Sequence, residues 1–128
     1  MRCLRIAIVS LFTAAAVTLP VAPHAAAANT TLEATSMAVS PASAGLVIAD
    51  SSATDGSALE LNQNSSASTN LSLPASIGVV IRAKGQSCRG TPSMTVLIDG
   101  NAISATTVSA TSWTNYTTAA TINAGTHT

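Results

Sequence analysis

Aromatic residues are nearly absent from this chain, whose 128 residues hold one Phe, one Trp and one Tyr. Large aliphatics are also sparse, so one small core and a single folded domain are expected. Charge is scarce too. Five basic and five acidic residues make up 8% of the sequence. From Asn29 onward the only cations are Arg82, Lys84 and Arg89, against Glu33, Asp50, Asp55, Glu60 and Asp99. A weakly acidic domain with three scattered cations has no electrostatic footprint for nucleic acid or an anionic membrane. Clusters that carry chemistry are missing as well. From Asn29 onward His127 is the one histidine, with no second to share a zinc and no nucleophile in a matching motif. No phosphate loop, metal pair or triad occurs. Glycoside hydrolysis needs two carboxylates at a set separation in a deep cleft, which five scattered acids in a small domain do not supply. The chain reads as a non-enzyme.

What is present begins with an export signature. Arg2 and Arg5 form a charged start, Ile6 to Leu19 is apolar, and Ala26-Ala27-Ala28 offers the small residues that signal peptidase reads. The apolar run is shorter than the ~20 residues of a membrane span. Residues 1–28 are therefore expected to be a secretion signal outside the folded protein, with residues 29–128 as the secreted, extracellular domain. Cys3 leaves with the signal, and Cys88 is then the one remaining thiol. A lone cysteine in an oxidising compartment is either a buried small hydrophobe or one half of a pair.

After the signal, the periodicity is that of strands. Ile77, Val79, Ile81 and Ala83 alternate with residues that include Arg82 and Lys84, and Met94, Val96 and Ile98 alternate with Thr95 and Asp99. Asp99-Gly100 is a tight-hairpin signal between the second run and Asn101–Ser109. Further strands are expected over Leu32–Val39 (stopped by Ser40-Pro41), Leu46–Asp50, Ala58–Leu61, Ser68–Leu73 and Tyr116–Ile122. Another begins at the very end, after Asn123-Ala124-Gly125, as though the chain were cut short. Turn signals every 8–12 residues and no convincing helix point to an all-β antiparallel sandwich. Ser and Thr supply 32 of the 100 residues from Asn29 on, a composition common in secreted bacterial β-proteins.

Five segments in order carry a resemblance: Leu32–Met37 (LEATSM), Ala49–Leu61 (ADSSATDGSALEL), Val79–Gly100 (VVIRAKGQSCRGTPSMTVLIDG), Val108–Thr117 (VSATSWTNYT) and Ile122–Thr128 (INAGTHT). Together they resemble the calcium-dependent, xylan-binding carbohydrate-binding modules of families thirty-six and sixty. The resemblance implies a jelly-roll sandwich lacking its last strand or strands. It also implies a partner outside this chain for Cys88, and calcium as cofactor. The implied ligand is a polysaccharide such as xylan, and the implied setting a monomeric module attached to a glycoside hydrolase or esterase domain. Relatives continue past the AGTHT segment into a strand, an Asp/Asn-rich loop and a second cysteine, and they show a Glu where Thr35 stands and an aromatic near Asn62. Negligible calcium-dependent xylan binding is accordingly expected of residues 29–128, and chelator-sensitive binding once such an extension is present. The alternative function is a structural or adhesive sandwich that binds no sugar.

The candidate metal ligands are Glu33, Asp50 and Asp55, since calcium takes six to eight hard oxygens. An exposed strand Glu and turn-forming Asp are the plainer roles for the same residues. Trp113 and Tyr116 are the candidate sugar-stacking rings, although a core this thin has its own use for them. Arg82, Lys84 and Arg89 form either a solvated outer face or donors to an acidic sugar.

Overall fold

The computed structural model describes residues 3–12, 29–86 and 90–128. Its strands are β1 (Cys3–Phe12), β2 (Thr30–Glu33), β3 (Ala38–Ser40), β4 (Gly45–Ala49), β5 (Ser57–Leu61), β6 (Ser66–Ser68), β7 (Leu71–Leu73), β8 (Ser76–Gln86), β9 (Ser93–Ile98), β10 (Asn101–Thr107), β11 (Thr114–Ile122) and β12 (Gly125–His127). The helical elements among the described residues are two short 3-10 turns, Ala34–Ser36 and Ala42–Ala44. The fold is an all-β antiparallel sandwich. One layer is a six-stranded sheet in the order β11-β8-β1-β5-β4, with β2 also pairing β1; the other strands form three ribbons, β10-β9, β12-β7 and β3-β6.

The alternation in β8 decides which side is the core. Val79, Ile81 and Ala83 join Leu4, Ile6, Leu59 and Leu61 on the inner face, where they meet Leu73 and Met94 from the ribbons. Arg82 and Lys84 take the outer face, half-buried. Each fully buried Val, Leu or Ile contributes about 1.5–3 kcal/mol, which matters in a core with so few rings. In the β9-β10 hairpin, Asp99 (φ 52°) and Gly100 (φ 79°) make the two-residue turn, and Ile98 pairs Asn101 as the sequence implies.

One segment pairs where the sequence reading placed no strand, and two split where it placed one. Residues 1–28 were expected to stand outside the fold, yet Cys3–Phe12 is an interior strand of the main sheet. It is antiparallel to β8 on one side and to β5 and then β2 on the other. The physical reason is that Leu4, Arg5 and Ile6 alternate as a half-buried strand does, and the β-branched residues of the run suit a pleated sheet. The single strand read over Leu32–Val39 is two, because the chain kinks through a 3-10 turn that buries Ala34 completely. The strand read over Ser68–Leu73 is likewise two short ones, separated at Thr69-Asn70.

Candidate functional site

The outer face of the main sheet gathers most of the charge. Antiparallel register sets Lys84, Arg5 and Glu60 side by side on β8, β1 and β5. Arg5 donates through Nε to Glu60 Oε2 (3.0 Å) and through a terminal nitrogen to Gln86 Oε1 (3.0 Å). Two neighbouring cations would repel. Asp50, at the end of β4, sits where it offsets this: its Oδ2 accepts from Lys84 Nζ and lies 3.8 Å from Arg5. Its Oδ1 accepts the backbone N–H of Ser52 (3.1 Å) and the Ser52 hydroxyl, an Asx turn that closes the 50–57 loop. The Lys84 ammonium, followed by the Ser52 donors, holds the Asp50 carboxyl well below the ordinary carboxylate range.

Trp113 rests on this cluster. Its indole N–H donates to Ser52 Oγ (3.0 Å), and its ring, like the Ile48 side chain, packs on Ala53 and Ala58. Lys84 Nζ stands 4.8 Å from the ring centroid and the Arg82 guanidinium 5.8 Å, both within cation–π range. Arg82 also donates to Thr54 Oγ1 and the Ser52 carbonyl. Tyr116, three residues on in the chain, is on the opposite side of the sheet, half-buried against the main core beside Ile81. The two rings proposed for sugar stacking therefore do not share a face.

Glu33 is brought to a different place. Its Oε2 is buried and has no hydrogen-bond partner, and its pKa is raised, first by burial and then by the negative charge of Asp55. Asp55 Oδ1 accepts the Ser57 N–H (3.0 Å), closing its own Asx turn. Of the three predicted calcium ligands, Glu33 thus feels the charge of Asp55, whereas Asp50 bonds Lys84 and lies beside Arg5. Among the described residues, no three His, Cys, Asp or Glu side chains group closely enough to hold a metal ion. A divalent cation beside Glu33 would satisfy its unpartnered oxygen and offset the negative charge of Asp55. Cys88 and Arg89 lie outside the described residues.

Two further features went unread in the sequence. A cavity of about 620 Å³ lies between the inner face of the main sheet and the ribbons; Leu61, Val79, Ile81 and Met94 give it apolar walls, and Ser65, Ser66, Thr69 and Thr95 bring hydroxyl side chains to its lining. At its C-terminal end, Asp99 Oδ1 accepts the Thr128 N–H (3.0 Å) and its Oδ2 meets His127 Nδ1 (2.7 Å), while His127 Nε2 meets the Asn123 carbonyl (2.9 Å). Both ring nitrogens face acceptors. The Asp99 carboxylate and then the Asn123 carbonyl accordingly raise the His127 pKa.

The stretch from β8 through the β9-β10 hairpin and β11 to the His127 corner has a known counterpart. Residues 78–128 match CBM60, a family described as Ca-dependent, xylan-binding carbohydrate-binding modules. The resemblance read from the sequence to family sixty holds for this stretch. CBM60 is a family of non-catalytic binding modules. The CBM60 stretch contains Trp113 and Tyr116, while Glu33, Asp50 and Asp55 precede it. No curated protein and no solved structure matches the chain.

Proposed function

We propose that this chain is an exported, non-catalytic carbohydrate-binding module for xylan or a related polysaccharide, with residues 1–28 acting as its cleaved signal. The observation that carries the reading is the CBM60 match over residues 78–128. Binding of this kind serves proximity, since it holds an attached catalytic domain near an insoluble substrate. Calcium is the cofactor this reading implies. Glu33 and Asp55 would supply some of its oxygens, and the ion would tie the 50–57 loop to the end of β2 and present open coordination positions to sugar hydroxyls. Two carboxylates fall short of the six to eight oxygens calcium takes, so a sugar-binding calcium needs further ligands, which the resemblance assigns to an Asp/Asn-rich loop.

Calorimetry against xylo-oligosaccharides, with calcium and with chelator, tests the reading. Negligible heat is expected for residues 29–128, and chelator-sensitive binding for a form extended by an Asp/Asn-rich loop and final strand. Strong calcium-dependent binding by the short form, or none by the long form, would show that the site is misplaced. The same calcium titration can be followed by the emission of Trp113, because Ser52 of the loop bonds its indole; Glu33→Gln should weaken the response severalfold, as it removes a charged ligand. Terminal sequencing of exported protein should begin at or near Asn29.

A further inference from the structure

The strand that reads as a removable signal lies inside the sheet, between two strands that cannot replace it. β5 and β8 are each antiparallel to β1 and therefore parallel to one another. Their separation is two strand spacings, about 9.5 Å, which is room for one strand. Loss of β1 leaves facing rows of unpaired backbone N–H and C=O groups, which cost free energy wherever water does not reach them. The floor of the gap is apolar: Leu59 and Leu61 on one side, Val79, Ile81 and Ala83 on the other. Its outer rim carries Glu60, Asp50, Lys84 and Gln86. With Arg5 gone, that rim holds two carboxylates and one ammonium, so one negative charge stands uncompensated.

We propose that the gap between β5 and β8 is a strand-acceptor site. Its occupant is an extended peptide segment, antiparallel to both neighbours, with apolar residues at alternate positions and an arginine or lysine facing Glu60 and Asp50. The segment Cys3–Phe12 fills it in the present structure and defines what it accepts. Leu4 and Ile6 point into the core, Arg5 meets the acidic rim, and Ile8–Leu11 continue the pairing with β2. Backbone pairing on both edges supplies affinity, while the alternating pockets and the acidic rim supply selectivity, the usual division of labour in strand addition. The proposal rests on the reading of residues 1–28 as a cleaved signal. The two can fail separately: an intact N-terminus on exported protein defeats only the signal, whereas the behaviour of the gap is read on protein nicked after folding.

The test uses the full chain with a protease recognition sequence placed within residues 13–28, cut once the protein has folded. A fluorescent peptide of residues 1–14, with Cys3→Ser to exclude thiol chemistry, is then added in excess, and its exchange into the nicked protein is followed by anisotropy. The expected result is saturable exchange, at least about tenfold weaker for the Arg5→Glu peptide because like charges would face each other across the rim. Amides of β5 and β8 should lose hydrogen-exchange protection when the fragment is removed and regain it with peptide. Equal binding of the Arg5→Glu peptide overturns the proposal, as does protection of β5 and β8 that persists without any strand. A dimer of nicked chains that no peptide dissociates overturns the choice of occupant.

Discussion

Replacing Gly85 with alanine would place a methyl carbon 2.1 Å from the Val108 carbonyl oxygen and 3.2 Å from Pro92 Cγ. The contact is backbone against backbone, so no side-chain rotation relieves it, and the Val108 segment must retreat by about 1 Å to reach ordinary packing distance. That segment is pinned on both sides. Gly85 N–H donates to the Ala110 carbonyl (2.7 Å) and Val108 N–H to the Pro92 carbonyl (2.9 Å), and the Val108 side chain is fully buried. Overpacking costs about 1–3 kcal/mol, and loosening one of the two hydrogen bonds adds about 1 kcal/mol. The expected loss is therefore about 2–4 kcal/mol, a fall in melting temperature of roughly 10–20 °C for a domain of this size. Gly100→Ala is the comparison. Gly100 has φ 79° with no heavy atom within 4 Å of an added Cβ, so the change carries only the left-handed backbone penalty of about 1 kcal/mol. Thermal unfolding by circular dichroism and urea midpoints of both variants check the reasoning. If Gly85→Ala loses no more than Gly100→Ala, the Val108 segment does not lie against β8 as described.

The His127–Asp99 pair gives a pH window. His127's raised pKa makes its contribution complete below the ordinary 6.5 and lost as pH rises through the higher folded value. Asp99's lowered pKa makes its contribution complete above 3.8 and lost as pH falls below it. Protection of the Thr128 and Asp99 amides, taken relative to their intrinsic exchange at each pH, should thus be greatest in mildly acidic solution, and His127→Gln should flatten the alkaline limb. Lys84→Met removes the first cause of the depressed Asp50 pKa, so carboxyl NMR should show Asp50 titrating closer to 3.8, with a shift in Trp113 emission because the ammonium leaves the ring.

Much of the fold was legible because period-two alternation and turn chemistry are local. Val79, Ile81 and Ala83 against Arg82 and Lys84 fix the faces of β8, and Asp99-Gly100 fixes the hairpin turn, without knowledge of anything distant. The same parity could have separated Trp113 from Tyr116, since residues three apart on extended chain point to opposite faces. The breaks at Ala34 and at Thr69-Asn70 were not legible: alternation runs through both, and the causes are tertiary, namely complete burial of Ala34 and the bond from the Thr128 hydroxyl to Asn70 Oδ1 (2.6 Å). Nor could spacing reveal that Asp50 pairs with Lys84, 34 residues away. At the N-terminus, an apolar run with a basic start satisfies the physics of an export signal and of a half-buried strand alike. Composition cannot separate the two.

β4 is an outer strand of the main sheet, and its five residues, Gly45–Ala49, include no charge and no proline. Leu46 and Val47 are 57% and 55% exposed. Natural sheets commonly blunt such a border with lysine, proline or a bulge; here the border is an aliphatic selvedge, and among the described residues no further strand pairs its outer side. A second copy of the molecule could meet that border as a further strand, so border-to-border stacking is expected to grow with concentration while each domain stays folded, a trend that light scattering over a dilution series would show.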